Sequence, residues 1–385
     1  MATTHVFIVD STTFKLHLEY LFAGTGAKEY VVDFNNTPTT YLKAQRENLL
    51  SSMIADSQRV RKGDFIIFYL QQSYSDRIYE GKFFGIFKVK EDLSFLDNYG
   101  KNQFLKKELN KSLTFRTLIE PYEVYPEGVT EWEALDEIKN IVSPFQMMWS
   151  LIYRKLKGNR GNTMITLYES ERLFKLLRTK NKNNTLHSAN LTFDARSQQI
   201  KADGTKNKYS GRKEVINILP RLIEKYNTNK AFESQLQAYI VQNLGRKINT
   251  SLDKSVLENL AFEWLGNEVS CGVGMQRIDV MVSIKKENSR LVIPIELKAV
   301  KASLENVIQI QRYVDWLEQY YTPNIISDIQ PILISIKIDD KQSGYYKAVI
   351  QSFKDFNKTN ENKFKLRYIE YEIANNNLLF TEISY

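Results

Sequence analysis

Two runs in the second half of the chain alternate apolar and polar positions. Ile278-Asp279-Val280-Met281-Val282-Ser283-Ile284 reads as a strand, and Leu291-Val292-Ile293-Pro294-Ile295-Glu296-Leu297-Lys298-Ala299 reads as a second. Residues two apart on a strand share a face, so Glu296 and Lys298 point together while Ile295 and Leu297 turn to the core. Helical spacing flanks the pair. Phe232, Leu236, Tyr239 and Ile240 predict a helix over 231–241 with Glu233 beside its apolar stripe. Leu304, Val307, Ile308, Val314 and Leu317 predict another over 303–321, with Gln309 and Tyr313 one turn apart on one side.

The first half is patterned differently. A strand is predicted at 6–9, and the turn Arg61-Lys62-Gly63-Asp64 leads into another at 65–70. A third covers 81–89, where Gly81 and Gly85 mark bulges or close backbone approach. Trp149 precedes a basic loop, Arg154-Lys155-Leu156-Lys157-Gly158-Asn159-Arg160, and short strands with helices between them predict a small mixed barrel. From Arg178 to Lys213 the chain turns rich in Lys, Asn, Gly and Ser, and apolar periodicity fades to Leu191-Thr192-Phe193. The expected organisation is therefore a domain over 1–177, a basic linker or long loop over 178–213, and a second domain over 214–385. The linker fits a solvated connector and a DNA-touching segment equally well.

At 385 residues the chain exceeds what one hydrophobic core usually supports, which agrees with two domains. An apolar fraction of 43% excludes a disordered protein. The net charge of +8 favours a polyanionic partner, although a basic surface also serves solubility. No basic N-terminal region precedes an apolar run and no 18-residue apolar stretch occurs, so neither a leader nor a membrane span is expected. Cys271 is the single cysteine and cannot form an internal disulfide, which points to an intracellular, cytoplasmic protein. With three histidines, a zinc site is not expected.

Phosphodiester hydrolysis needs an oxygen cage for Mg²⁺, a group that orients water, and positive charge at the developing phosphorane. Asp279, Glu296 and Glu233 supply carboxylates, Lys298 supplies charge, and Gln309 with Tyr313 supplies hydrogen bonds. Each piece alone is weak, since Glu-x-Lys is common on strands and an aspartate at a strand start is usually a turn residue. Their order carries the reading, as does the cost of burying Glu296 and Lys298 in an apolar strand without a partner.

In that order the residues resemble the PD-(D/E)XK nuclease superfamily, in the RecB- and NucS-like branch with a trailing Gln-x-x-x-Tyr motif, over roughly residues 215–345. One departure is that the leading Pro-Asp is here Ile278-Asp279. The resemblance implies a restriction-endonuclease-like α/β/α core with a mixed sheet. It implies that Asp279, Glu296 and the Leu297 carbonyl hold Mg²⁺, with Mn²⁺ as a substitute, and that Glu233 completes the shell through water or a second ion. It makes Lys298 the catalytic lysine and gives Gln309 and Tyr313 the orienting of phosphate.

The Lys62-Gly63-Asp64 turn with its strand, the Gly81 to Gly85 strand, Phe115-Arg116 and the Trp149 to Arg160 region resemble a PUA-like domain of the EVE/YTH type. That resemblance spans most of 1–177 and implies a nucleic-acid reader which, in several branches, takes a flipped modified base. By it Tyr69, Tyr74 and Trp149 are cage candidates, and Arg154, Lys155, Lys157 and Arg160 are phosphate candidates. With 22 Tyr and 21 Phe, most aromatics must serve packing. The combined expectation is an α/β, prokaryotic, restriction-type endonuclease acting on double-stranded DNA, modified bases included, as a homodimer because two strands need two sites. Alternatives are a NucS-like repair nuclease for mismatched, branched or single-stranded DNA, and a reader whose nuclease fold is not catalytic. RNA also stays open as a substrate.

Overall fold

In the computed structural model the described residues are 2–26, 31–32, 44–99, 102–147, 162–205, 207–271, 276–321, 328–361 and 364–385. The chain divides into two compact units. One takes Met1–Asp33, Asp56–Val142 and Gln146–Ile216, and the other takes Phe34–Ala55, Ser143–Phe145 and Asn217–Tyr385. The expected α/β class holds, with a curled sheet in the first unit and a separate mixed sheet in the second.

The elements up to residue 216 run β1 (Thr4–Val9), α1 (Ser11–Tyr20), β2 (Phe22–Thr25), α2 (Ala44–Gln58), β3 (Phe65–Leu70), β4 (Lys82–Val89), β5 (Phe95–Leu96), α3 (Lys106–Leu109), β6 (Phe115–Pro121), β7 (Val129–Thr130), α4 (Glu131–Asp136), β8 (Asn162–Ile165), α5 (Leu167–Lys180), β9 (Thr192–Asp194) and β10 (Gln199–Lys201). The sheet order is β2-β6-β4-β3-β1-β8, with β1 parallel to β3. Asp10 caps α1 by accepting from the Thr13 N–H, and Thr13 returns the bond to the Asp10 N–H. That helix lays Phe14 into a cluster with Phe68, Phe84 and Phe193. Gly85, at φ +67°, falls where the β3/β4 register shifts, and a Cβ on Gly81 would lie 2.0 Å from the Tyr69 hydroxyl. The two glycines thus act as the sequence suggested, one at a bulge and one at a close approach.

The segment 178–213 is not a linker. Its first residues finish α5, and β9 and β10 form a hairpin that places Leu191, Phe193 and Ile200 in the same core as Phe14. Two three-residue strands show no periodicity, and three apolar side chains in a polar run suffice to anchor them. Further on, Arg212 pairs with the buried Asp97 at 3.1 Å, so one of the segment's basic residues is committed internally.

The second unit continues with α6 (Leu219–Asn227), α7 (Glu233–Asn243), α8 (Thr250–Leu257), β11 (Trp264–Ser270), β12 (Arg277–Lys285), β13 (Arg290–Lys301), α9 (Glu305–Tyr320), β14 (Ile332–Ile336), α10 (Gly344–Thr359), β15 (Arg367–Ala374) and β16 (Asn377–Ile383). Its sheet runs β11 to β16 in sequence order. β11, β12 and β13 are antiparallel, while β13, β14 and β15 are parallel and are joined by α9 and α10 as crossovers. The central strand β13 is buried from Val292 to Leu297, so Glu296 lies in an otherwise apolar run. Among the described residues no helix is long and apolar enough to cross a membrane.

Candidate active site

The β12/β13 ladder pairs Val280 with Ile295. One step further along the same register, Asp279 faces Glu296, and cross-strand neighbours share a face. The Leu297 N–H donates to Asp279 Oδ2 at 2.8 Å. Beyond Leu297 the β13/β14 ladder shifts register, a local irregularity of the kind that re-aims side chains. Lys298 follows there, its Nζ on Glu296 Oε1, so the two-residue face rule holds for this pair. The Tyr371 hydroxyl donates to the Lys298 carbonyl at 3.2 Å and steadies the strand at that point.

Two helices complete the cluster. Glu233 opens α7, within electrostatic reach of Lys298 and Glu296. One turn later Gln237 Nε2 donates to the Asp279 carbonyl at 2.9 Å, tying α7 to β12. From α9, Gln309 Nε2 donates to the Tyr313 hydroxyl at 2.8 Å. The single Tyr313 proton faces two acceptors, Glu296 Oε2 at 2.6 Å and the Arg277 carbonyl at 2.8 Å. All six residues singled out in the sequence, Glu233, Asp279, Glu296, Lys298, Gln309 and Tyr313, therefore meet in one hydrogen-bonded and charged cluster.

The electrostatics are those of crowded carboxylates. Burial holds Asp279 well above the usual carboxylate range, and Glu296 and then Glu233 add to the rise against the opposing Leu297 amide and Lys298. Glu233 is exposed at the rim, yet lost hydration raises it too, with Glu296 adding repulsion while Lys298 and the Ala299 amide oppose. For Lys298, burial works against the charge, but Glu296, Glu233 and Asp279 outweigh it and raise the ammonium pKa. Burial and the Glu296 charge likewise keep Tyr313 protonated, as a hydrogen-bond donor. Cys271 is pushed up to about 12 by burial and by Glu296 and Asp279, so its thiol is no nucleophile.

Hard divalent cations prefer carboxylate and carbonyl oxygens, and mutual repulsion between Asp279 and Glu296 is what such a cation would relieve. The donor set fits. It is not preassembled, since among the described residues no three of His, Cys, Asp and Glu are gathered as a cage. The bonds above give the reason, with Lys298 on one Glu296 oxygen and Tyr313 on the other.

The base cage expected of Tyr69, Tyr74 and Trp149 is not formed by the described residues. Tyr69 lies in the core, its ring 4.9 Å from that of Phe83 and its hydroxyl 3.0 Å from Glu131. Tyr74 is 72% exposed and faces Tyr79. The two follow different strand and loop geometry that spacing alone does not reveal. Trp149, Arg154, Lys155, Lys157 and Arg160 lie outside the described residues. Arg116, from the Phe115-Arg116 pair, is buried against Asp97 at 3.3 Å and donates to the Phe104 carbonyl, which is structural work. The first unit does enclose a polar space lined by Thr25, Ser57, Arg116, Thr117 and Asn162, but its volume of about 10 Å³ admits a water and not a base.

Three site residues gave little sequence signal. Gln237 stands at i+4 from Glu233, a spacing that places both on one side of α7. Arg277 precedes Asp279 by two and so shares its face, and Arg312 stands beside Tyr313. The second unit also has a cleft of about 460 Å³ lined by these two arginines with Gln309 and Tyr313.

No protein-family model matches this chain, and no curated protein matches it. Among solved structures it is similar to human THYN1 in complex with DNA containing 5-methylcytosine, at 9% identity and a TM-score of 0.25, over 46% of this chain and 97% of that one. It is also similar to the restriction endonuclease FokI bound to DNA, at 11% identity and a TM-score of 0.21, over 61% of this chain and 41% of that one. Scores this low assign neither a family nor a function.

Proposed function

We propose that this chain is a divalent-metal-dependent nuclease of restriction type, whose second unit cuts DNA and whose first unit reads it, modified bases included. The observation that carries the reading is the cluster itself, in which Asp279 contacts the Leu297 amide, Glu296 contacts Lys298 and Tyr313, and Glu233 stands at the rim. Crowded carboxylates beside a lysine in an otherwise apolar sheet are costly to keep for stability alone. Asp279, Glu296 and the Leu297 carbonyl would hold Mg²⁺ or Mn²⁺, with Glu233 alongside. A bound divalent ion supplies Lewis acidity and a more acidic water.

The chain's own residues do the rest. Lys298 Nζ, released from Glu296, donates to the attacking water and to the charge on the phosphorane. Tyr313 keeps Glu296 oriented, and Gln309 keeps the Tyr313 hydroxyl oriented. Two such sites in a homodimer would cut both strands. Incubating the purified chain with Mg²⁺ and genomic DNAs of differing base modification, followed by end sequencing, tests both halves of the reading. Cleavage lost in Asp279→Ala, Glu296→Ala and Lys298→Ala supports the nuclease, and cleavage retained in all three overturns it. Equal cutting of all DNAs removes the modified-base reader and leaves the nuclease.

A further inference from the structure

Arg312 of α9 is exposed and makes no ion pair among the described residues, although helix neighbours often supply one. It lines the cleft of about 460 Å³ together with Gln276, Arg277, Ile308, Gln309 and Tyr313. On α9 the lining positions 308, 309, 312 and 313 form one face. Across from them, Arg277 is held by Glu268 through one guanidinium nitrogen at 2.6 Å, which fixes the group while leaving other N–H donors. Ile308 is 57% exposed and offers an apolar wall. Glu305, which is exposed, is the one acidic residue of the lining among the described residues. Two guanidiniums, two side-chain amides and an apolar wall suit a nucleotide, with charge for phosphate and Ile308 for sugar or base.

The cleft adjoins the acidic cluster through two shared residues. Tyr313 and Gln309 line it, and the Tyr313 hydroxyl contacts Glu296. A strand whose scissile phosphate sat at Asp279 and Glu296 would reach this cleft with its neighbouring nucleotide. We infer that the cleft is a subsite for the nucleotide next to the scissile phosphate, with Arg312 and Arg277 contacting its phosphate. This rests on the nuclease reading above. Because phosphate contacts carry no base information, the subsite contributes affinity equally on every sequence.

The test uses the full chain and a duplex oligonucleotide in Mg²⁺, comparing wild type with Arg312→Ala, Arg312→Lys and Arg312→Glu in single-turnover cleavage. DNA is held below and then above saturation, over monovalent salt from about 0.05 to 0.3 M. One lost phosphate contact lowers the log–log salt slope by about 0.9, which corresponds to roughly an eightfold loss near 0.1 M salt for the alanine variant at subsaturating DNA. Glutamate should lose more, lysine should recover most of the loss, and saturating rates should change little. Arg312 is a surface residue, and an unchanged melting temperature confirms that each variant folds. A wild type that cuts, with an Arg312→Glu variant matching it in subsaturating rate and salt slope, overturns the subsite and leaves the nuclease standing. A wild type that cuts no DNA overturns the nuclease reading itself, and the subsite with it.

Discussion

The Tyr313 hydroxyl lies 2.6 Å from Glu296 Oε2, joining the helix that follows β13 to a carboxylate in the middle of that strand. Glu296 is 1% exposed, so this hydroxyl is a main source of compensation for a buried carboxylate oxygen.

Tyr313→Phe should therefore affect both stability and rate. An acceptor left unpaired in the interior costs about 1–3 kcal/mol, read as a lower urea midpoint at unchanged slope. Under the nuclease reading, cleavage at saturating DNA should fall roughly 10–100-fold, as for other residues that hold a metal ligand in place. Gln309→Ala should move in the same direction by less, because Gln309 acts through the hydroxyl. A Tyr313→Phe protein with wild-type rate and midpoint would show that Glu296 needs no such support.

The cluster was readable because its chemistry is local. Glu296 and Lys298 share a face by strand alternation, and Gln309 and Tyr313 share one by helical spacing, so each pair follows from a few residues. What brings the pairs together is the β12/β13 register and the crossover into α9, and the sequence order of the motifs only suggested it. The reader half was less legible for a physical reason. Tyr69 and Tyr74 are five residues apart, yet one ends in the core and the other in solvent, because an aromatic ring serves packing and stacking alike. The β9/β10 hairpin has the composition of a linker or long loop, and Phe193 and Ile200 are anchored by partners far away in sequence that no local pattern shows.

Asp279→Asn should stabilise the protein at neutral pH and, under the nuclease reading, abolish cleavage. Burial and neighbouring carboxylates raise the Asp279 pKa in the fold, so between the unfolded value and the folded one the native state binds the extra proton. Stability therefore declines as pH rises through that window, and the penalty is fully present above it. Asparagine keeps an acceptor for the Leu297 N–H and removes the charge. The gain should be about 0.5–2 kcal/mol at pH 7–8 and should vanish in acid. Millimolar Ca²⁺ should raise the wild-type melting temperature and leave the variant nearly unmoved. A variant that melts below wild type at pH 8 would contradict this account of the cluster.

Acid should weaken the first unit through His17. The ring is 1% exposed, stacks on Phe68 at 5.3 Å, and neither nitrogen has a hydrogen-bond partner among the described residues. Burial, reinforced by Arg116, lowers its pKa to about 3, with Asp10 opposing and Lys111 adding to the drop. The unfolded chain takes up a proton near 6.5 that the native state refuses, so stability is lost progressively as pH falls from about 6.5 toward 3. His17→Phe keeps the stack and removes the titration, so its urea midpoint should fall less between pH 7 and 4. Parallel pH profiles for the two proteins would place the acid sensitivity elsewhere, for example at His5, whose pKa burial also lowers.

Glu47 is a buried charge of the second unit, held by several partners of that unit. It is 3% exposed and accepts from Arg221 Nε at 2.8 Å and Nη2 at 3.0 Å, from Gln235 Nε2 at 3.1 Å, and pairs with Lys225 at 3.4 Å. Burial opposes its ionisation, but Arg221 and Lys225 outweigh that and hold its pKa below the ordinary value. Its contribution is thus present above the unfolded carboxylate pKa and is lost as pH falls through the folded one. Glu47→Ala leaves Lys225 without its carboxylate partner and Arg221 with Glu224 alone, at 2.7 Å, which should cost about 3–5 kcal/mol in a urea melt at pH 7. Glu47→Gln keeps the shape and one acceptor and should cost less. Because Gln235 also donates to Ser51 and stands two residues from Glu233, the glutamine variant should still fold but hold the start of α7 less firmly, lowering single-turnover cleavage under the nuclease reading. A Glu47→Ala midpoint within about 1 kcal/mol of wild type would mean that the cations relax into water and that the cluster does not anchor α7.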